Sequence, residues 1–226
     1  MRLDMEYNFK KIIIITGYYG CGKTNLAANI ALRLKSEYPQ KRITIADADT
    51  VNYYFRSADF TDVFSEKGID VVSPAYANSN LDIPVLDYDM ERLIAESDHL
   101  IADVGGDDAG AFALGRYAPV FAKHSEDIEV FYVYNALRGI SAAETAENVR
   151  AVETASRLKC TALINNTNLG AETSEALIRS SEEYASEMEE LTGLKHAFVC
   201  VPEEYNYNNE KGIFPVKRLV KLPWEE

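Results

Sequence analysis

A chain of 226 residues, 47% apolar and 26% charged, has an ordinary globular composition and the length of one domain with a substantial core. Its net charge of −13 argues against a general nucleic-acid role, because such a surface repels a phosphate backbone over most of its area. Three widely spaced cysteines, Cys21, Cys160 and Cys200, form no CxxC pair and argue against a disulfide framework or a thiolate metal cage.

The opening residues show no basic segment followed by an apolar one and a small-residue cleavage site, so the expected compartment is the cytoplasm. The apolar run near the start, IIII, is far short of the ~20 residues of a membrane span. Seven apolar, β-branched runs are predicted strands: 10–16, 42–47, 69–73, 99–104, 128–135, 160–165 and 197–201. Between most of them lie stretches of helical spacing, with Leu26, Ile30 and Leu34 in 23–36 and similar patterns in 141–158 and 172–192. Runs that are continuous rather than alternating imply burial on both faces, as in a parallel sheet covered by helices. The expected architecture is a three-layer, doubly wound α/β sandwich with a mostly parallel central sheet. It forms a single domain over 1–226, with a core at about 10–203 and a C-terminal tail over 204–226.

Directly behind the first predicted strand stands GYYGCGKT, residues 17–24. Gly17, Gly22, Lys23 and Thr24 satisfy G-x-x-x-x-G-K-[ST] between a strand and a helix, the context that a phosphate-binding loop requires. Its glycines let the backbone curl so that N–H groups point at phosphate oxygens. The helix opening at about Lys23 adds the positive end of its dipole. Lys23 would reach the β- and γ-phosphates, and the Thr24 hydroxyl would hold Mg²⁺. Tyr18, Tyr19, Gly20 and Cys21 complete the cradle, and Asn25 follows it. Cys21 is either a thiol activated by the helix N-terminus or a small filler, and the second reading is the simpler.

The second predicted strand ends in Asp47, with Asp49 just beyond; such a pair can position an attacking water or support the magnesium. Asn52 and Arg56 follow, Arg56 being a candidate for phosphate or partner contact. Residues 74–90 form a loop rich in Pro, Asn, Ser and Asp, a kind that tends to be functional or mobile. HLIADVGG ends the fourth strand in Asp103, where a Walker-B carboxylate would order the metal's water shell. Gly106, three residues later, lets a backbone N–H approach the γ-phosphate. LINN places Asn165 and Asn166 at another strand end, where amides can hydrogen-bond a purine edge, and VPEE places Pro202 where it can pack on the base. The 172–192 stretch holds seven glutamates against one arginine, with Leu177, Tyr184, Met188 and Leu191 spaced as a buried stripe; its acidic face reads as solvated.

Taken in order, GYYGCGKT, DAD, DVGG, LINN and VPEE resemble the MinD/ParA/CobQ branch of the SIMIBI class of P-loop NTPases, over roughly residues 10–203. The likeness looks closest to a small group of stand-alone MinD/CobQ-like nucleotide-binding proteins. It implies a P-loop NTPase fold, ATP or ADP with Mg²⁺, and a cytoplasmic protein. Lys23 and Thr24 match the phosphate and magnesium residues, Asp49 the water-orienting one, Asp103 the Walker-B one and Asn165 the base-binding asparagine. The branch's loop reads G-K-G-G-x-G-K-T, and its first lysine reaches across a dimer. Here Tyr18 stands at that position and Tyr19 where a glycine is usual, so the cross-dimer lysine is missing. DVGGDDAGAFAL also looks like a stretch of nitrogenase iron protein, but Gly110 stands near the cluster cysteine's place.

Three functions compete. The first is a slow Mg²⁺-dependent ATPase acting as a nucleotide-state switch, with a homodimer or an unknown protein partner. The second is an ATP-dependent enzyme phosphorylating a small carboxylate, similar to dethiobiotin-synthetase and cobyrinate-amidation relatives. The third is a sensor that binds nucleotide and barely hydrolyses it. ATP over GTP rests on the resemblance, and the guanine signature N-K-x-D is absent, since Asn168 stands where its aspartate would be. Neither nucleic acid nor stable membrane association is expected. The FPVKRLVKLPW segment, with Lys217, Arg218 and Lys221, is cut by Pro215 and Pro223 to about two helical turns and reads as a packed tail.

Overall fold

A computed structural model describes residues 7–48, 61–73, 89–106, 108–205 and 212–219. Among them, eight strands build one sheet: β1 (Ile12–Gly17), β2 (Ile43–Ala48), β3 (Ile69–Val72), β4 (His99–Val104), β5 (Ile128–Tyr134), β6 (Ala162–Asn165), β7 (His196–Pro202) and β8 (Ile213–Val216). The order is β3-β2-β4-β1-β5-β6-β7-β8, and every pairing is parallel. The helices are α1 (Lys23–Glu37), α2 (Thr61–Glu66), α3 (Met90–Glu96), α4 (Asp108–Gly115), α5 (Ala118–Ala122), α6 (Ala142–Ser156), α7 (Glu175–Arg179) and α8 (Glu182–Thr192).

The isoleucine run of β1 shows why both faces must be covered. Ile12 and Ile14 point into one apolar layer with Val149, Val152, Leu114 and Met188, contributed by α6, α4 and α8. Ile13 and Ile15 point into the other with Leu26, Ile30 and Leu34 of α1. All four isoleucines are fully buried, so the strand carries core side chains at period two on each side. This is the expected three-layer α/β sandwich, with the sheet parallel throughout.

Two expectations are corrected. The 172–192 stretch is two helices, broken between Arg179 and Glu182. Met188 is fully buried, but Leu191 is exposed and Ile178 takes an inner place instead. Residues 213–216 are not part of a helical tail but an eighth strand paired to β7. Pro215 is tolerated there because β8 lies at the sheet edge, where one side of the strand owes no ladder bonds. The backbone beyond it is clamped to α1. Lys217 N–H donates to Asn29 Oδ1 at 2.7 Å, and Leu219 N–H to Asn25 Oδ1 at 2.9 Å. The Asn25 and Asn29 amide nitrogens donate back to the Lys217 carbonyl at 3.0 and 2.9 Å. No described helix is long and apolar enough to cross a membrane.

At the end of the sheet away from the strand C-termini, Glu129 of β5 is buried in register with Ile13. The Tyr7 hydroxyl donates to its Oε2 at 2.9 Å and Lys10 N–H to its Oε1 at 3.0 Å. Burial outweighs these bonds and pushes the Glu129 carboxyl up to about 7. Between the ordinary carboxyl value of about 4.3 and that value, the folded chain holds a proton that the unfolded chain has lost. Stability therefore falls as pH rises through this window, by up to about 3 kcal/mol. Glu129→Gln is expected to remove that slope, read as the difference between the two melting profiles from pH 4.5 to 8. Buried His99, held below its usual value by desolvation, adds a slope of opposite sign to both proteins and cancels in the difference.

Candidate functional site

Parallel strands bring their C-terminal ends to one edge, and the motif-bearing loops meet there. The loop between β1 and α1 turns through left-handed backbone at Gly20 (φ 73°) and Gly22 (φ 87°), conformations that favour glycine. Gly22 is the cap residue of α1; no side chain caps that helix and no acidic residue occupies its first turn. Its N-terminal positive end is therefore left to an external anion.

Lys23 opens α1 and is only 7% exposed. Its Nζ donates to the carbonyls of Gly17 at 3.0 Å and Tyr18 at 3.2 Å, curling over the loop's own backbone. Among the described residues no carboxylate comes within ion-pair distance of it. The Thr24 hydroxyl donates to Asp103 Oδ2 at 2.6 Å, tying the helix start to the end of β4. Asp47 of β2 is the register partner of Asp103, and both are 1% exposed, so two carboxylates stand side by side next to the loop. Asp49, Asn52 and Arg56 lie outside the described residues, as do residues 74–88.

Gly106 closes the same space. A Cβ placed on it would sit 2.1 Å from the Gly17 carbonyl oxygen, 2.8 Å from Lys23 Nζ and 2.9 Å from Tyr18 C. Only a bare backbone fits between β4's exit and the loop. A phosphate-sized anion bounded by Lys23, the α1 N-terminus and this backbone matches the donor set. A hydroxyl joined to a carboxylate at the loop's end suits a hard, oxygen-seeking divalent cation. Among the described residues no three His, Cys, Asp or Glu side chains form a metal cluster, so such a cation would take most of its ligands from phosphate and water.

The remaining predicted residues take other places. Cys21 is buried, and desolvation lifts its thiol above the usual value against the pull of Lys23 and Arg138, so it is a filler rather than an activated thiol. Asn166 Nδ2 donates to the Cys21 carbonyl at 2.7 Å and braces the loop. Asn165 donates to Ser181 Oγ at 2.8 Å and accepts from the Thr167 backbone N–H at 3.0 Å and its hydroxyl at 2.6 Å. Both asparagines are thus engaged with protein atoms. The break between α7 and α8 is what delivers buried Ser181 to Asn165. Asn25 faces the 217–219 segment through both ends of its amide. Pro202 ends β7 at the same sheet edge, and Tyr18 and Tyr19 are 39% and 62% exposed. His99, His124 and His196 lie apart and form no cluster among the described residues.

One participant was not singled out in the sequence. Arg138 ends a short 3-10 turn, Ala136–Arg138, that follows β5, and its Nη2 donates to the Gly20 carbonyl. The cue in NALRG is an asparagine cap, a turn and a glycine stop directly after a strand.

No family model matches the chain, and no curated protein matches it. Solved structures do. It is similar to the signal recognition particle receptor FtsY from Elizabethkingia anophelis at 20% identity and TM-score 0.57, over 91% of this chain and 64% of that one. It is similar to the cell division protein FtsY from Thermotoga maritima at 19% identity and TM-score 0.56, over 90% of this chain and 65% of that one. A third is the 54 kDa signal recognition particle protein from Aeropyrum pernix, in complex with GDP, at 16% identity and TM-score 0.54, over 88% and 43%. The chain spans less than two thirds of each of these structures. The likeness shows the fold: an α/β P-loop NTPase fold built on one parallel sheet covered by helices.

Proposed function

We propose that this chain is a Mg²⁺-dependent ATP-binding protein of the MinD/CobQ-like kind, a slow ATPase whose nucleotide state is read by a partner. The observation that carries this reading is the Lys23 ammonium, buried at an uncapped helix start with two carbonyl acceptors and no carboxylate in range among the described residues. A buried cation without an opposing charge costs several kcal/mol unless an anion joins it, and phosphate oxygens are the anion this loop is shaped for.

In this reading Lys23 and the loop amides bind the phosphates, while Thr24 and Asp103 hold the magnesium, which when bound polarises the terminal phosphoryl group. Asp47, together with Asp49, orients water. Gly106 carries the loop that senses the terminal phosphate, since its backbone already touches Gly17 and approaches Lys23. Asn165 and Asn166 serve by holding the loops that border the base, and Pro202 flanks it. A partner-reading face is supported by the exposed side chains of Tyr18, Tyr19, Phe112, Leu137 and Leu169, which lie on the segments following β1, β4, β5 and β6. Either a second copy of this chain or another protein can occupy it.

Calorimetric titration of the magnesium-loaded protein with non-hydrolysable ATP and GTP analogues tests the reading. The expected result is one site at micromolar affinity preferring the ATP analogue, weakened at least tenfold by chelating the magnesium. Preference for the GTP analogue would overturn the choice of base. Binding of neither would overturn the function.

A further inference from the structure

We infer that Arg138 is a second phosphate-binding cation of this site, contacting the terminal phosphate of a bound nucleoside triphosphate from the same chain. The inference rests on the proposed nucleotide site and adds a residue to it.

Arg138 is exposed, but its turn is not loose. The Asn135 side chain accepts from Leu137 N–H at 3.0 Å and donates to the Asn168 carbonyl at 2.9 Å. Ala136 N–H donates to Thr167 Oγ1 at 3.1 Å. Asn135 and Thr167 are 6% and 1% exposed, so buried polar side chains pin the turn to the loop after β6. Gly139 in left-handed backbone (φ 76°) ends it at once. The backbone that carries Arg138 is thus fixed beside the loop.

The guanidinium then reaches the phosphate loop at Gly20. A Cβ on Gly20 would stand 3.0 Å from its Cζ, so the group packs closely on the loop, at a left-handed position (φ 73°) that itself favours glycine. One Nη2 proton goes to the Gly20 carbonyl, and among the described residues no carboxylate pairs with the group. A guanidinium presents five N–H donors in a planar fork suited to phosphate oxygens. Among the described residues, one backbone carbonyl takes one of them.

Placement selects the terminal phosphate. In the sheet β1 stands between β4 and β5, so the carboxylates of Asp103 and Asp47 border the loop on one side and Arg138 on the other. A magnesium held on the β4 side neutralises only part of the triphosphate's charge. The front of the loop, Tyr18 and Tyr19, brings no cation of its own. Arg138 supplies the missing charge opposite the metal, at Gly20, three residues ahead of Lys23.

The test is titration of wild type, Arg138→Gln and Arg138→Lys with the magnesium-loaded, non-hydrolysable ATP analogue and, separately, with ADP. We expect Arg138→Gln to weaken the triphosphate analogue at least tenfold and ADP by no more than threefold, with Arg138→Lys recovering part of the loss. Equal losses for both nucleotides would make Arg138 only a brace for the Gly20 carbonyl and overturn the inference. Unchanged affinity for both would overturn it as well. Wild type binding neither nucleotide would instead bring down the proposed function, so the two failures read differently.

Discussion

Lys23→Ala is expected to lower affinity for the magnesium-loaded ATP analogue at least 100-fold while leaving the fold intact. Charged hydrogen bonds contribute about 1.5–3 kcal/mol each, and tenfold in affinity corresponds to about 1.4 kcal/mol, so losing two such bonds accounts for the size. The fold should survive because alanine suits a helix start and the shortened residue leaves no charge to desolvate. Among the described residues the ammonium's acceptors are the Gly17 and Tyr18 carbonyls, which recover water when it goes. Calorimetric titration together with apo melting separates the two effects. Unchanged affinity in a folded variant would remove the phosphate loop from the function altogether.

The second large effect belongs to Gly106. Its backbone φ is ordinary, so the cost of Gly106→Ala is steric alone: the new methyl would meet the Gly17 carbonyl at 2.1 Å and the Lys23 ammonium at 2.8 Å. One of the two neighbours is backbone of β1 and cannot swing aside as a long side chain can. Overpacking of this kind costs about 1–3 kcal/mol, and the relief available is to push the 105–106 backbone away from the loop. Affinity for the triphosphate analogue should fall at least tenfold, with ADP less affected. Gly193→Ala is the matched control. Gly193 lies in left-handed backbone (φ 72°) with nothing within 4 Å of the added Cβ, so it carries the conformational cost without the clash. It should destabilise by about 1 kcal/mol and leave nucleotide affinity alone. Equal nucleotide affinity in wild type and Gly106→Ala would show that this backbone does not border the phosphate.

Much of this molecule is legible in its sequence because burial on two faces leaves a continuous apolar signature. The seven predicted strands all appear with boundaries shifted by two residues at most, and β4 matches at both ends. The phosphate loop was legible for a different reason: its chemistry demands fixed residue types at fixed spacing, and the strand before it and helix after it confirm the context. What escaped reading was long-range. β8 is four residues long, half-covered and interrupted by proline, so no periodicity marks it; only pairing with β7 makes it a strand. Asn25 looked like a continuation of the nucleotide loop, but an amide's partner cannot be inferred from its neighbours, and this one lies some 190 residues away. Ser180 and Ser181 divide a stretch that the apolar spacing reads as one helix, because the buried Asn165 amide needs a hydroxyl where the second helix begins. Nothing local marks Arg138, since its place at the loop depends on β5 being next to β1.

The clamp between α1 and residues 217–219 also bears on how the chain acquires its shape. Contacts separated by 188 to 194 residues carry a large loop-closure cost in a parallel α/β topology. On a ribosome, strands β1 to β7 emerge and can collapse while the polar side of α1 at Asn25 and Asn29 still faces water. The helix that begins with Lys23 and Thr24 reaches its final set of bonds only when the last strand has left the exit tunnel. A chain stopped before residue 217 would therefore keep the phosphate loop but leave the Asn25 and Asn29 amides without the backbone they bond.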